Sequence, residues 1–167
     1  MIGNMTREQG TIESRVRKIM RDLRARGHRI TPQRVAIIRE FIPCGNHPSA
    51  EMIHDSLSDD FPMMALSTVY STLRLLSEMG EAVEVSPATQ EARFDPDVGD
   101  HCHLTCLACS RIEDLPLEPC EQRTATVDAA EATGFKPMRV VHQIFGYCED
   151  CREREVSQPA REDGRST

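Results

Sequence analysis

The sequence predicts an α+β protein: an N-terminal winged helix-turn-helix domain over residues 1–95, then a small α/β domain over 96–151. Three observations carry this. Residues 12–79 read as successive helices with apolar stripes, and two short alternating strands follow them. Beyond these, two CxxC pairs, Cys106-Leu107-Ala108-Cys109 and Cys148-Glu149-Asp150-Cys151, stand with 38 residues between them.

The first helix is marked by Ile12, Val16, Ile19, Met20 and Leu23 at helical spacing, with arginines and a lysine between them and Gly27 as a stop. Residues 1–11 carry no such stripe and are expected to be flexible. Thr31-Pro32 is a cap followed by proline at the first helical position, and Val35, Ile38, Phe41 and Ile42 line the next helix as far as Pro43. Ser49 can cap a short helix holding Ile53 and Leu57. Over 66–79, Leu66, Val69, Leu73 and Leu76 share one face. Ser67, Thr68, Ser71 and Arg74 are left outward, small polar groups and one arginine that suit a helix entering a DNA groove. Ala65 precedes this helix, so Ser67 is expected to cap one turn later. Segments 82–86 and 91–94 alternate like two strands around Pro87-Ala88-Thr89-Gln90. Helices and then a hairpin is the order of a winged helix-turn-helix.

The stretch Pro96-Asp97-Val98-Gly99-Asp100 has linker composition. Strands are expected at 103–106 and 111–115 around the first CxxC, a helix at 120–133, and a longer strand at 135–145 delivering the second CxxC. Residues 152–167 have almost no apolar side chains and are expected to be a disordered tail.

Net charge is −7, yet residues 1–43 hold ten Arg/Lys against four Asp/Glu, a local +6, while 44–97 carry −8 and 98–167 carry −5. A basic first segment on an acidic remainder suits a protein that offers one face to phosphates. No apolar run approaches the ~18 residues of a membrane span, and the N-terminus lacks an apolar leader core. A reducing, cytoplasmic setting follows, in which CxxC reads as metal-binding or redox-active rather than as a structural disulfide.

Two CxxC pairs brought together make a four-thiolate tetrahedron of the kind Zn2+ fills. Apparent zinc affinity of ~10–16 kcal/mol rivals the ~5–15 kcal/mol stability of a whole domain, so metal could decide whether the C-terminal half folds. His101 and His103 lie outside that tetrahedron. On a strand their rings point to one face, where a chemically harder metal site could be built.

The chain resembles the ferric uptake regulator family over roughly residues 12–151. The resemblance rests on an ordered set: RITPQR (29–34), His47-Pro48, STVYSTL (67–73), RFD (93–95), HCHLTCLACSRIED (101–114) and GYCEDC (146–151). It implies a homodimer, with the winged helix on double-stranded operator DNA and the C-terminal part as dimerisation domain. By that pattern Cys106, Cys109, Cys148 and Cys151 hold structural Zn2+, and His47, Asp95, His101, His103 and Asp114 hold a regulatory ion. Arg29, Ser67, Thr68, Tyr70, Ser71 and Arg74 fall on the DNA-binding positions. Aspartate at 95 resembles the peroxide-sensing branch, where ligand histidine is oxidised by iron and peroxide. Three imidazoles and two carboxylates suit Fe2+ or Mn2+. The expectation is therefore a repressor rather than an enzyme, with no small organic substrate and no membrane partner. An iron- or manganese-availability regulator without peroxide sensing is the alternative. From another class, a zinc-dependent enzyme lacks a His-x-Glu arrangement, and a thiol oxidoreductase would want one exposed CxxC at a helix start, whereas two pairs on strand ends look closed.

Overall fold

The computed structural model describes residues 2–85, 92–99, 101–116, 121–137, 140 and 142–156. The chain divides into two compact units, one holding the elements up to Gly99 and the other those beyond it.

The first unit contains α1 (Ile2–Ala25), α2 (Pro32–Phe41), α3 (Ala50–Ser56), α4 (Leu66–Glu78) and the antiparallel pair β1 (Val83–Val85) and β2 (Arg93–Asp95). Its helix boundaries follow from local chemistry. The Thr31 hydroxyl accepts the Arg34 N–H at 3.2 Å ahead of Pro32, and the Ser49 hydroxyl accepts the Met52 N–H at 3.3 Å. Gly27 and Gly80 adopt φ of +82° and +75°, and just past them the N–H groups of His28 and Glu81 reach back to the Leu23 and Leu76 carbonyls. Both ends are closed by the glycine motif that a left-handed residue permits. The core joins Val16, Ile19 and Leu23 of α1 to Ile38 and Phe41 of α2, Leu73 and Leu76 of α4 and Phe94 of β2, all fully buried. Truncating Phe41 to alanine would cost about 3–5 kcal/mol.

Two expectations in this unit are corrected. The first helix begins at Ile2, not Ile12, so the segment expected to be flexible is helical from residue 2. Once a helix is nucleated, each added residue needs little further stabilisation. Ser67 does not cap α4: the N-cap is Ala65, which makes no side-chain cap bond, and the Thr68 N–H reaches the Ala65 carbonyl at 2.8 Å. The turn expected at 87–90 lies outside the described residues.

The second unit contains β3 (His101–Cys106), β4 (Ile112–Pro116), α5 (Glu121–Ala132), β5 (His142–Gly146) and α6 (Glu149–Val156). The sheet order is β4-β3-β5, antiparallel between β3 and β4 and parallel between β3 and β5. A parallel pair needs a crossover, and α5 lies within it. Of the segment 135–145 expected as one strand, the described part in the ladder is β5, while Phe135 to Pro137 do not join it and Phe135 stays exposed. The expected disordered tail is also corrected in part. Residues 152–156 continue α6, whose first turn carries Glu149 and Asp150 where the helix dipole favours negative charge. Residues 157–167 and Cys120 lie outside the described residues.

The two units bury their apolar groups differently. None of the large apolar side chains described in the second unit is buried, and Leu115, Phe135, Ile144, Phe145 and Tyr147 are exposed. No helix among the described residues is long and apolar enough to cross a membrane.

Candidate metal centres

The cysteines converge because β3 and β5 run parallel and in register, Cys106 opposite Gly146. Cys106 ends β3 and Cys109 lies in the turn beyond it. That turn closes with Ser110 at φ +60°, its N–H donating to the Cys106 carbonyl at 2.9 Å. Across from it the Cys148 N–H donates to Cys106 Sγ at 3.4 Å. Cys148 immediately precedes α6 and Cys151 sits in its first turn, so the second pair is at a helix start and not, as expected, on a strand end.

All four sulfurs lie within 4.8 Å of one another. Cys109 and Cys148 are 3.8 Å apart, far beyond the ~2.05 Å of a disulfide. Zn–S bonds of ~2.3 Å in a tetrahedron place sulfurs about 3.8 Å apart, so the set fits zinc. The electrostatics agree with shared anionic sulfur. The Cys148 N–H, followed by that of Cys109, pulls the Cys106 thiol down to about 6, while hydrogen bonding with Cys148 and then burial push Cys151 up to about 12. Without metal, these contacts favour a thiolate on Cys106 and a protonated thiol on Cys151. A dication is what lets all four ionise.

The histidines and carboxylates form two groups, one in each unit. In the second unit β3 places His101 and His103 on one face, and the antiparallel register sets Asp114 of β4 opposite His103. The two Nε2 atoms stand 2.9 Å apart, and Asp114 Oδ1 lies 3.5 Å from His101 and 3.8 Å from His103. Two imidazoles and a carboxylate at these separations make a facial triad suited to Fe2+ or Mn2+, since adjacent ligands on an octahedral ion with ~2.1 Å bonds stand about 3.0 Å apart. His103 is buried, whereas Asp114 is 39% exposed. Cys102 points to the opposite face, between Leu115 and His142, and burial raises its thiol pKa.

In the first unit His47 and Asp95 are both buried, with Nε2 and Oδ2 3.7 Å apart. His47 holds φ +50° ahead of Pro48, a left-handed backbone that costs an imidazole residue of order 1–3 kcal/mol and is typical of functional sites. The loop is pinned to β2 by the Phe94 N–H on the Pro48 carbonyl at 3.0 Å and by a bridge between Ser49 and Arg93. The Asp97 N–H donates to Asp95 Oδ1 at 2.8 Å, which fixes the carboxylate and leaves Oδ2 on the His47 side. Sequence reading did not single out Asp97 or Ser110. The signals available for them were the Asp95-x-Asp97 spacing and, for Ser110, its place directly after the first CxxC.

Of the DNA-binding candidates, Ser67, Ser71 and Arg74 are exposed on α4 and Thr68 and Tyr70 are half-buried. Tyr70 packs against the core while its hydroxyl donates to Glu51 Oε1 at 2.9 Å, and the Arg74 guanidinium lies 6.0 Å from its ring centre. Tyr70 thus serves both core and surface. Arg29 is exposed in the loop before α2. Other basic residues of the first two helices are engaged internally: Arg15 and Lys18 with Glu81, and Arg39 with Glu13.

The sequence pattern of the ferric uptake regulator family matches residues 25–144. A peroxide-responsive repressor, PerR, of Staphylococcus saprophyticus is 34% identical over 153 residues, covering 90% of this chain and all of that protein. Among solved structures, the Helicobacter pylori ferric uptake regulator, described with three functional metal binding sites, superposes with a TM-score of 0.69 at 20% identity over 84% of this chain and 93% of that one. The Pseudomonas aeruginosa ferric uptake regulator with manganese gives 0.62 at 22% identity over 77% and 96%. At those identities the two structures speak for the fold.

Proposed function

Because this chain belongs to the ferric uptake regulator family, we propose that it is a homodimeric, metal-dependent repressor that binds double-stranded operator DNA and responds to peroxide. The observation that carries the reading is the coexistence of two chemically distinct kinds of donor, four thiolates gathered in the second unit and imidazole paired with carboxylate within each unit. Cys106, Cys109, Cys148 and Cys151 would hold structural Zn2+. In line with the family resemblance, His47, Asp95, His101, His103 and Asp114 would hold Fe2+ or Mn2+. The 34% identical relative is a peroxide-responsive repressor, and aspartate at position 95 agrees with that response.

The residues themselves act by holding geometry. The strained His47 backbone and the Asp97-held Asp95 carboxylate present a formed pair of ligands, so little ordering accompanies binding. The strand register does the same for His101, His103 and Asp114. Bound Fe2+ would supply the reduction of hydrogen peroxide within reach of these imidazoles, and an oxidised ring is a poorer ligand. The outward face of α4, with Ser67, Thr68, Tyr70, Ser71 and Arg74, would enter the major groove, and Arg29 would contact phosphate. The exposed apolar groups on and beside edge strand β5 support a partner copy.

The test loads the protein with Fe2+ or Mn2+ and adds a small excess of hydrogen peroxide. The iron form is expected to gain one oxygen on His47 or His101 and release operator DNA, while the manganese form does neither. An iron form that keeps its mass and its DNA would make the protein a regulator of iron or manganese availability, a reading the same nitrogen and oxygen donors support. Oxygen landing on Cys102, or release reversed by a thiol reductant, would place the switch on cysteine instead.

A further inference from the structure

We infer that Arg15 is a positioning residue for the Asp95 half of the regulatory metal site, tying the end of the DNA-reading helix to the segment that carries this ligand. The inference rests on the ligand role of Asp95 given above and names the residue that sets it. Arg15 lies on α1 among basic neighbours, yet its guanidinium turns inward. Nη2 donates to the Pro96 carbonyl at 2.7 Å and to the Glu81 carbonyl at 3.0 Å, and Nε lies 3.6 Å from the Glu81 carboxylate.

Each end of this clamp is itself anchored. Glu81 follows the glycine closure of α4, its N–H on the Leu76 carbonyl at 2.9 Å, so it moves with the recognition helix. Pro96 is buried and adjoins Asp95, whose Oδ1 accepts the Asp97 N–H at 2.8 Å. The carbonyl held by Arg15 therefore belongs to the same short turn that orients the carboxylate. Residues that orient a ligand from behind commonly alter metal affinity 10–100-fold when lost. The pairing is specific to arginine, because Nη2 serves both carbonyls while Nε faces the Glu81 carboxylate, two nitrogens held in one rigid plane, and a lysine ammonium has a single nitrogen on a flexible stem. The geometry also removes Arg15 from the phosphate-binding set that its position in a basic helix would assign it to.

The experiment uses the full-length zinc-loaded protein and measures Mn2+ affinity, the salt dependence of DNA binding and amide exchange at Asp97. Arg15→Met is expected to weaken Mn2+ binding about 10-fold or more, speed Asp97 exchange, retain zinc and leave the salt slope unchanged. Lys18→Met is the charge-matched control, since Lys18 one turn away pairs with Glu81 and Asp22 and touches neither carbonyl of the clamp. It is expected to leave Mn2+ affinity within about twofold of wild type. Arg15→Lys keeps the charge and the packing, and it should still lose several-fold in Mn2+ affinity, which preserves the test if the methionine variant folds poorly. Unchanged Mn2+ affinity in both Arg15 variants overturns the inference, as does an equal loss in Lys18→Met. A salt slope reduced by about 0.9 in Arg15→Met would make Arg15 a phosphate contact instead. Asp95→Ala tests the underlying assignment separately: if it binds Mn2+ as tightly as wild type, Asp95 is not a ligand, whatever Arg15 does.

Discussion

Replacing Cys106 with serine should unfold the second unit and leave the first intact. The reason is where each unit keeps its apolar side chains. The first has a closed core of aliphatic and aromatic residues from four helices and β2. In the second, the buried apolar residues among those described are Cys102, Cys106 and Cys151, two of them proposed zinc ligands. Joining the two CxxC turns closes a loop of roughly 40 residues, and cross-linking a loop of that length removes chain entropy worth about 4 kcal/mol. Structural zinc in small peptides supplies about 10–16 kcal/mol in total, more than so small a unit gains from burial. Cys106 is the most consequential of the four because its sulfur also accepts the Cys148 N–H, so serine loses a ligand and loosens the turn before α6. Metal analysis, chromatographic size and segment-resolved hydrogen exchange together read the outcome. Zinc, dimer and protection over 101–156 should vanish together, while α1–α4 stay protected. A zinc-free Cys106→Ser protein that remains a dimer with a protected β3 would refute the reasoning.

Three further outcomes follow from the same geometry. Zinc retention should be complete at high pH and lost as pH falls, because metal binds thiolates: Cys106, depressed to about 6, stays ionised at neutral pH, whereas Cys151, raised to about 12, keeps its proton until metal displaces it. Proton release measured during zinc titration in buffers of different ionisation enthalpy checks this, and zinc binding without proton release contradicts it. Tyr70→Phe should weaken specific DNA more than random DNA by about 1 kcal/mol, on the scale of one neutral hydrogen bond. Glu51→Ala should change the same preference, since Glu51 accepts the Tyr70 hydroxyl hydrogen bond and leaves that oxygen to accept from a base; equal losses on both DNAs would place Tyr70 in the core or against the DNA backbone. Arg74→Ala should reduce the log–log salt slope by about 0.9, and an unchanged slope would remove Arg74 from the phosphate contacts.

Features governed by local rules were legible before the structure. Thr31-Pro32, Ser49, Gly27 and Gly80 act through bonds to neighbours a few residues away, so their roles could be read from sequence order. The CxxC pairs were legible for a related reason, since each turn is local and only their meeting depends on the fold. Reading failed where a segment's state depends on what it packs against. The segment 135–145 has the apolar content of a strand, but β3 offers only a short parallel register, Cys102 to Cys106 against His142 to Gly146. Residues 152–156 lack apolar side chains yet extend a helix begun at the second CxxC.

Charge was the least legible property, and the reason bears on how a metal signal reaches DNA. A count of +6 over residues 1–43 treats every arginine as available to phosphate. In the fold, Lys18 pairs with Asp22 and Glu81, Arg39 with Glu13, and Arg15 with two backbone carbonyls. Spacing along α1 cannot reveal this, because Glu81 and Pro96 lie 66 and 81 residues away from Arg15 in the chain. What looked like a phosphate-binding face is partly a set of internal struts between α1, the end of α4 and the turn carrying Asp95. Such struts favour one spacing of these parts. A ligand that binds that spacing better than others shifts the population toward it by its differential affinity, and a tenfold difference corresponds to about 1.4 kcal/mol. On the proposed reading, the basic first segment would act in regulation through the cations it engages internally, Arg15 and Lys18 against Glu81 and Arg39 against Glu13.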